Sequence, residues 1–305
     1  MADHNTREST FVQKMNWIFV GPNGIRAGWS TALFLLLLAG CQLVLPRLVP
    51  TLSATPTHIT PTAALLREGV LLAVILCCTL VMARIEQRSF FSYGLAGPRS
   101  IPYAAQGFMW GLILVTVLVG ELTVGGFLVF DGWALRGNAT LEYALAWLLV
   151  FMLVAAAEET LFRGYLQYTL ARGIGFWPAA LLISCAFGLA HLRNSGELAL
   201  GIGVAALGGI VFALALRMTG SLWWGIGFHT AWDWAQSFLF GSPVSGYVFE
   251  GRLVTSHPAG DARWSGGTAG PEASLLIAPV LVLCLGVIAL TLRRATDRPN
   301  GAAVP

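Results

Sequence analysis

Six ionisable residues stand out because each falls inside an apolar stretch: Glu158, Glu159, Arg163, His191, His229 and Asp233. Glu121 is a seventh. Charge is costly among apolar side chains at bilayer depth, so each such residue is a functional expectation by default. Glu159 and Arg163 are four apart and share a helix face, which lets them neutralise one another as an ion pair. Glu158 sits about 100° further round the same helix. Its carboxylate is spared from that pair and is a candidate general base. Phe187 with His191, and His229 with Asp233, repeat the four-residue spacing on two further helices. Plainer readings stand beside these: a buried ion network between helices, an interhelical hydrogen bond for His191, a paired polar spot for His229 and Asp233. Glu121 lies outside every motif and is read as structural. His4, His58 and His257 lie in polar segments and are read as solvated.

The elements that must position these groups are transmembrane helices. Of 305 residues, 56% are hydrophobic and 11% charged, with a mean hydropathy of +0.72. That balance is outside the range of soluble domains and predicts a multi-pass integral membrane protein. Spanning a bilayer takes about 20 apolar residues. Runs of that kind occur near 27–46, 65–83, 103–129, 143–170, 177–192, 197–217, 221–240 and 273–292. The expected fold is therefore all-α, a polytopic bundle of about eight spanning helices. The organisation reads as a cytoplasmic tail over 1–26, amino-terminal helices over 27–140, a core over 141–240, an extracytoplasmic loop over 241–272, and a last helix with a cytoplasmic tail over 273–305.

Counting Arg and Lys on alternate sides of this arrangement gives a two-to-one bias that puts both termini in the cytoplasm. The net charge of +3 is small and scattered, which argues against a nucleic-acid partner. The first 26 residues lack the pattern of a cleaved secretory signal, so nothing is expected to be removed. Cys41, Cys77, Cys78, Cys185 and Cys284 lie in apolar stretches without CxxC spacing and read as small hydrophobes. At about 1.5 Å per residue, Glu158 and His191 lie roughly 20 Å from the turn near 172–178. His229 and Asp233 lie roughly 14 to 20 Å from Gly220, a similar layer. Groups at one depth on three neighbouring helices can share a cavity. Glu158, His191 and His229 also match a His₂Glu zinc set with one open position, although HExxH is absent; a water activated by Glu without metal is the alternative.

In order, Glu158-Glu159 with Arg163, Phe187 with His191, and His229 with Asp233 resemble the EExxxR, FxxxH and third motifs of the CPBP family. That family comprises CAAX protease and bacteriocin-processing membrane peptidases, type II CAAX prenyl endopeptidases among them. The resemblance covers about 143–240. It implies that Glu158 and His191 activate a water, that His229 and Asp233 stabilise an oxyanion or position the site, and that Glu159 with Arg163 holds the architecture. Asp233 departs from the prenyl endopeptidases, which typically carry Asn there. An ionised Asp cannot donate a hydrogen bond to an oxyanion and would instead orient His229.

The expected function is an intramembrane endopeptidase in a bacterial-type cytoplasmic membrane. It would act on a membrane-anchored or prenylated peptide or protein in a cavity open to the cytoplasm. The alternatives are a non-catalytic scaffold or bacteriocin-immunity protein of the same fold, and an ion-coupled transporter. The transporter would require broken helices and paired half-repeats, which the sequence does not display.

Overall fold

The computed structural model describes residues 18–22, 24–49, 59–97, 99–194, 196 and 199–292. His4, His58, most of the 1–26 tail and the 293–305 tail lie outside the described residues. A helix forms in each of the eight expected runs: α1 (Ala27–Leu48), α2 (Pro61–Ile85), α3 (Ser100–Val124), α4 (Asn138–Ile174), α5 (Phe176–Ala190), α6 (Ala199–Thr219), α7 (Trp223–Trp234) and α8 (Ile277–Thr291). The fold is an all-α polytopic bundle. Five helices, α1, α2, α3, α4 and α6, are long and apolar enough to cross a membrane. α5 and α8 are apolar but shorter.

α7 is a different kind of element. Trp224, Gly225, Ile226, Gly227, Phe228 and Ala231 are all buried, as expected of a helix enclosed by its neighbours. α3 makes room for it. A Cβ on Gly107 would collide with the carbonyl of Trp224, one on Gly111 with the carbonyl of Phe228, and one on Gly227 with the carbonyl of Ala104. Gly107 and Gly111 form a G-x-x-x-G pair, and small residues on facing helices let backbones touch where no hydrophobic effect drives helices together.

Local sequence explains most boundaries. The Thr60 hydroxyl accepts from the Ala63 N–H at 3.3 Å, and Pro61 occupies the first turn of α2, where its missing N–H costs nothing. Gly175, at φ 84°, turns the chain from α4 into α5.

One expectation is corrected. The third helix stops at Val124 rather than running to 129. Gly125 and Gly126 break it, with Gly126 at φ 73°, and the apolar run continues as strand Leu128–Trp133, because run length alone does not separate strand from helix. This strand pairs antiparallel with Val254–Pro258. The 241–272 segment, expected as an extracytoplasmic loop, thus carries regular structure of its own. Besides its strand it carries a helical turn, Ala262–Ser265, and a buried run that includes Ala269 and Pro271. A second small antiparallel pair joins Val20–Gly21 to Gly24–Ile25. At the far end of the bundle, the start of α1 meets the end of α4, where a Cβ on Gly173 would lie 2.8 Å from that of Ala27.

Candidate active site

Glu158 and Glu159 end the regular part of α4. Over Thr160–Gln167 the helix widens into π-type hydrogen bonding before it resumes as Tyr168–Ile174, an irregularity that recurs at functional sites. Arg163 stands on this segment. Its Nη1 donates to Glu159 Oε1 at 3.0 Å, and both side chains are about 1% exposed or less. Nε and Nη2 of Arg163 have no hydrogen-bond partner, but the guanidinium lies 4.2 Å from the Phe187 ring centre and 5.3 Å from that of Phe212. The aromatic faces thus supply part of what water would have supplied.

α7 brings His229 against these carboxylates. Its Nδ1 lies 3.6 Å from Glu159 Oε1, the oxygen that Arg163 also holds. Its Nε2 lies 3.3 Å from Asp233 Oδ2 and 3.9 Å from Glu158 Oε2. The imidazole stacks over Phe212, with ring centres 5.7 Å apart. A Cβ on Gly225, one turn earlier in α7, would lie 3.4 Å from Glu159 Oε2. The two adjacent carboxylates have distinct surroundings: the Glu159 side chain is 1% exposed and that of Glu158 is 31% exposed. Glu158 is the accessible one.

His191 sits one residue past the end of α5 and opens a short 3₁₀ turn, a residue beyond the helix that its spacing suggested. Its Nδ1 is 2.8 Å from the Phe187 carbonyl oxygen. A carbonyl only accepts, so Nδ1 carries the proton and the Nε2 lone pair is left for other work.

His191, His229 and Asp233 line a cavity of about 120 Å³ with Phe187, Phe212 and Phe228 beside them, room for several waters. α6 and α8 contribute an apolar part of its wall through residues such as Gly208, Val211, Val280 and Cys284. α5 and α7 thus meet at this cavity, and α4 joins them through the contacts of Glu158 and Glu159 with His229. Among the described residues, no group of three or more His, Cys, Asp and Glu side chains is arranged to hold a metal ion.

Two carboxylates escaped the sequence reading. Glu272 reaches the cavity from the 241–272 segment, with Ser245 beside it; nothing in that segment's polar composition set it apart. Glu86, at the end of α2, accepts from Tyr165 Oη at 2.6 Å and from Arg172 at 2.8 Å, tying α2 to α4 away from the cavity. Burial and the Glu86 charge push the Tyr93 phenol beside them upward. Glu121 does not line the cavity, and its Oε2 has no hydrogen-bond partner. His257, read as solvated, is exposed and pairs with Asp131 at 2.9 Å across the strand pair.

His191, His229 and Asp233 thus share one cavity, and the Glu158 and Glu159 carboxylates of α4 approach His229 at 3.9 and 3.6 Å. Residues 140–235 match the family described as Rce1-like, type II CAAX prenyl endopeptidase Rce1-like. The match covers less than half of the chain, but it contains all six predicted site residues, and at family level it supports an intramembrane protease of the CAAX type. No curated protein and no solved structure matches the chain.

Proposed function

We propose that this protein is an intramembrane endopeptidase that cleaves a membrane-anchored or lipid-modified peptide with a water activated by Glu158 and His191. The observation that carries this reading is that His191, His229 and Asp233 line one cavity while Glu158 Oε2 approaches His229 Nε2 at 3.9 Å, all within the stretch that matches the Rce1-like family. Glu158 accepts a proton from water as the oxygen attacks the peptide carbonyl carbon, with the His191 Nε2 lone pair orienting that water. The resulting oxyanion is stabilised by His229, which Asp233 orients from 3.3 Å. The C–N bond then breaks and the proton passes to the leaving amine, giving a carboxylate and an amine. Glu159 and Arg163 hold the α4 and α7 walls in register.

The prenylated substrate class comes from the family's description. The apolar cavity wall is compatible with it. Zinc, for which the spacing of Glu158, His191 and His229 offered a ligand set, enters no step of this reading, and the chelation arm below tests metal dependence.

A bacterial-type cytoplasmic membrane is the proposed location, with both termini cytoplasmic. The fold constrains this. Ser245 and Glu272 wall the cavity at the end of the bundle opposite Ala27, so with a cytoplasmic amino terminus that wall faces the extracytoplasmic side. A substrate arriving from the cytoplasm must reach the cavity from elsewhere around it.

The test is cleavage of a fluorogenic, lipid-modified peptide panel by purified protein in detergent, wild type against Glu158→Gln, with and without a zinc chelator. Cleavage lost in the variant supports the hydrolytic reading. Activity lost on chelation and restored by zinc selects a zinc-dependent route; activity that survives chelation leaves the metal-free route. A folded wild type that cleaves no member of the panel favours a scaffold or immunity role.

A further inference from the structure

One carboxylate outside the family-matched stretch is built into the cavity wall with unusual completeness. Glu272 Oε1 accepts from the Ser245 N–H at 2.8 Å and the Ser245 hydroxyl at 3.0 Å. Its Oε2 accepts from Gln236 Nε2 at 3.0 Å and the Trp232 indole N–H at 3.4 Å. Four neutral donors thus fill the acceptor positions of an anionic group. They come from two elements. Trp232 and Gln236 lie on α7 and its continuation, flanking Asp233, whereas Ser245 belongs to the 241–272 segment.

Ser245 adds an independent observation. Its φ is 48°, and among the described residues only Gln87 is another non-glycine at positive φ. A non-glycine residue stays in that region only where its surroundings hold it there. Here the hold is Glu272, which takes both donors of Ser245, and both residues line the cavity with His229 and Asp233.

We propose that Glu272 is a positioning residue: it clamps the 241–272 wall onto α7 on either side of Asp233, and so sets Asp233 and through it His229. The kinetic part of this rests on the hydrolytic reading above; the clamp itself does not. Replacing the carboxylate by an amide turns one acceptor into a donor, so at least one of the four partners then meets a donor instead of an oxygen.

The experiment uses the full chain in detergent as wild type, Glu272→Gln and Ser245→Ala. It measures kcat and KM per folded molecule across pH, together with the alkylation rate of Cys284, a buried cavity-wall thiol. Expected for Glu272→Gln is a kcat loss on the order of tenfold to a hundredfold from a misplaced site, at unchanged KM and with a displaced pH profile. Cys284 alkylation should be several-fold faster. Ser245→Ala should move every readout the same way by less, and it carries the test if Glu272→Gln does not fold. Wild-type values for kcat, pH profile and alkylation in the folded variants would overturn the proposal. So would faster alkylation with unchanged kcat and pH profile, which would reduce Glu272 to a structural tie. If wild type cleaves nothing, the hydrolytic reading fails by itself, and alkylation alone decides the clamp: faster supports it, unchanged overturns it.

Discussion

Glu159 and His229 meet through a single oxygen: Oε1 of Glu159 lies 3.6 Å from Nδ1 of the imidazole and at the same time accepts from Arg163 at 3.0 Å. The carboxylate expected to serve an ion pair within α4 therefore also faces α7, and the arginine pair and the histidine are one unit.

Glu159→Gln should consequently destabilise the protein by about 3–5 kcal/mol, because the Arg163 guanidinium is left buried without its counter-charge. Thermal unfolding in detergent measures it. Arg163→Met should cost a comparable amount, and the double variant less than the sum, since the two residues share a network. Strict additivity would show that they act independently.

Activity should separate the two adjacent carboxylates. Glu158→Gln and His191→Ala are expected to lower kcat by about 10²–10⁴ while leaving the unfolding temperature close to wild type, as removal of a general base does. Cleavage rates on gel-filtered, monodisperse protein decide it. Near-wild-type turnover in Glu158→Gln would remove Glu158 from the chemistry.

Asp233→Asn tests the departure from the family pattern. If Asp233 orients His229 across the 3.3 Å contact, the amide should weaken turnover by about tenfold or more. A rise in kcat with Asn would instead assign this position to hydrogen-bond donation toward the oxyanion.

The contact between α3 and α7 is predicted to be intolerant of a single methyl group. Gly107→Ala and Gly227→Ala each drive a Cβ into a backbone carbonyl of the facing helix, and should cost about 1–3 kcal/mol or more. Gly120→Ala is the control on α3, since a Cβ there meets nothing within 4 Å. Equal unfolding temperatures for all three would contradict the close approach.

Outside the membrane-spanning segments, Asp261 accepts from Arg263 through its side chain and backbone, which hold the Asp261 carboxyl down to about 2. A depressed acid contributes above the ordinary carboxylate range and loses that contribution as pH falls through the depressed value. The Ala262–Ser265 turn should therefore keep its ion pair until about pH 2. A carboxyl-carbon NMR titration reads the midpoint, and Arg263→Gln should return it toward 3.8.

The helices and the candidate site groups were legible from order along the chain. Spanning runs are set by apolar length, and an acid or imidazole inside such a run is conspicuous because bilayer depth penalises it. Four-residue spacing correctly placed Glu159 on Arg163 and His229 on Asp233, since both are relations within one helix. What lies between helices was not legible. The facing of Glu159 and Glu158 toward His229 depends on how closely α7 can approach α4, which Gly225 permits, while Gly107 and Gly227 seat α7 against α3, and no periodicity encodes either contact. Gly125 and Gly126 converted an apolar run into a strand whose partner lies more than a hundred residues later. Glu272 looked like any loop carboxylate. Only tertiary packing, by folding the 241–272 segment back onto α7, gave it four donors and a place on the cavity wall.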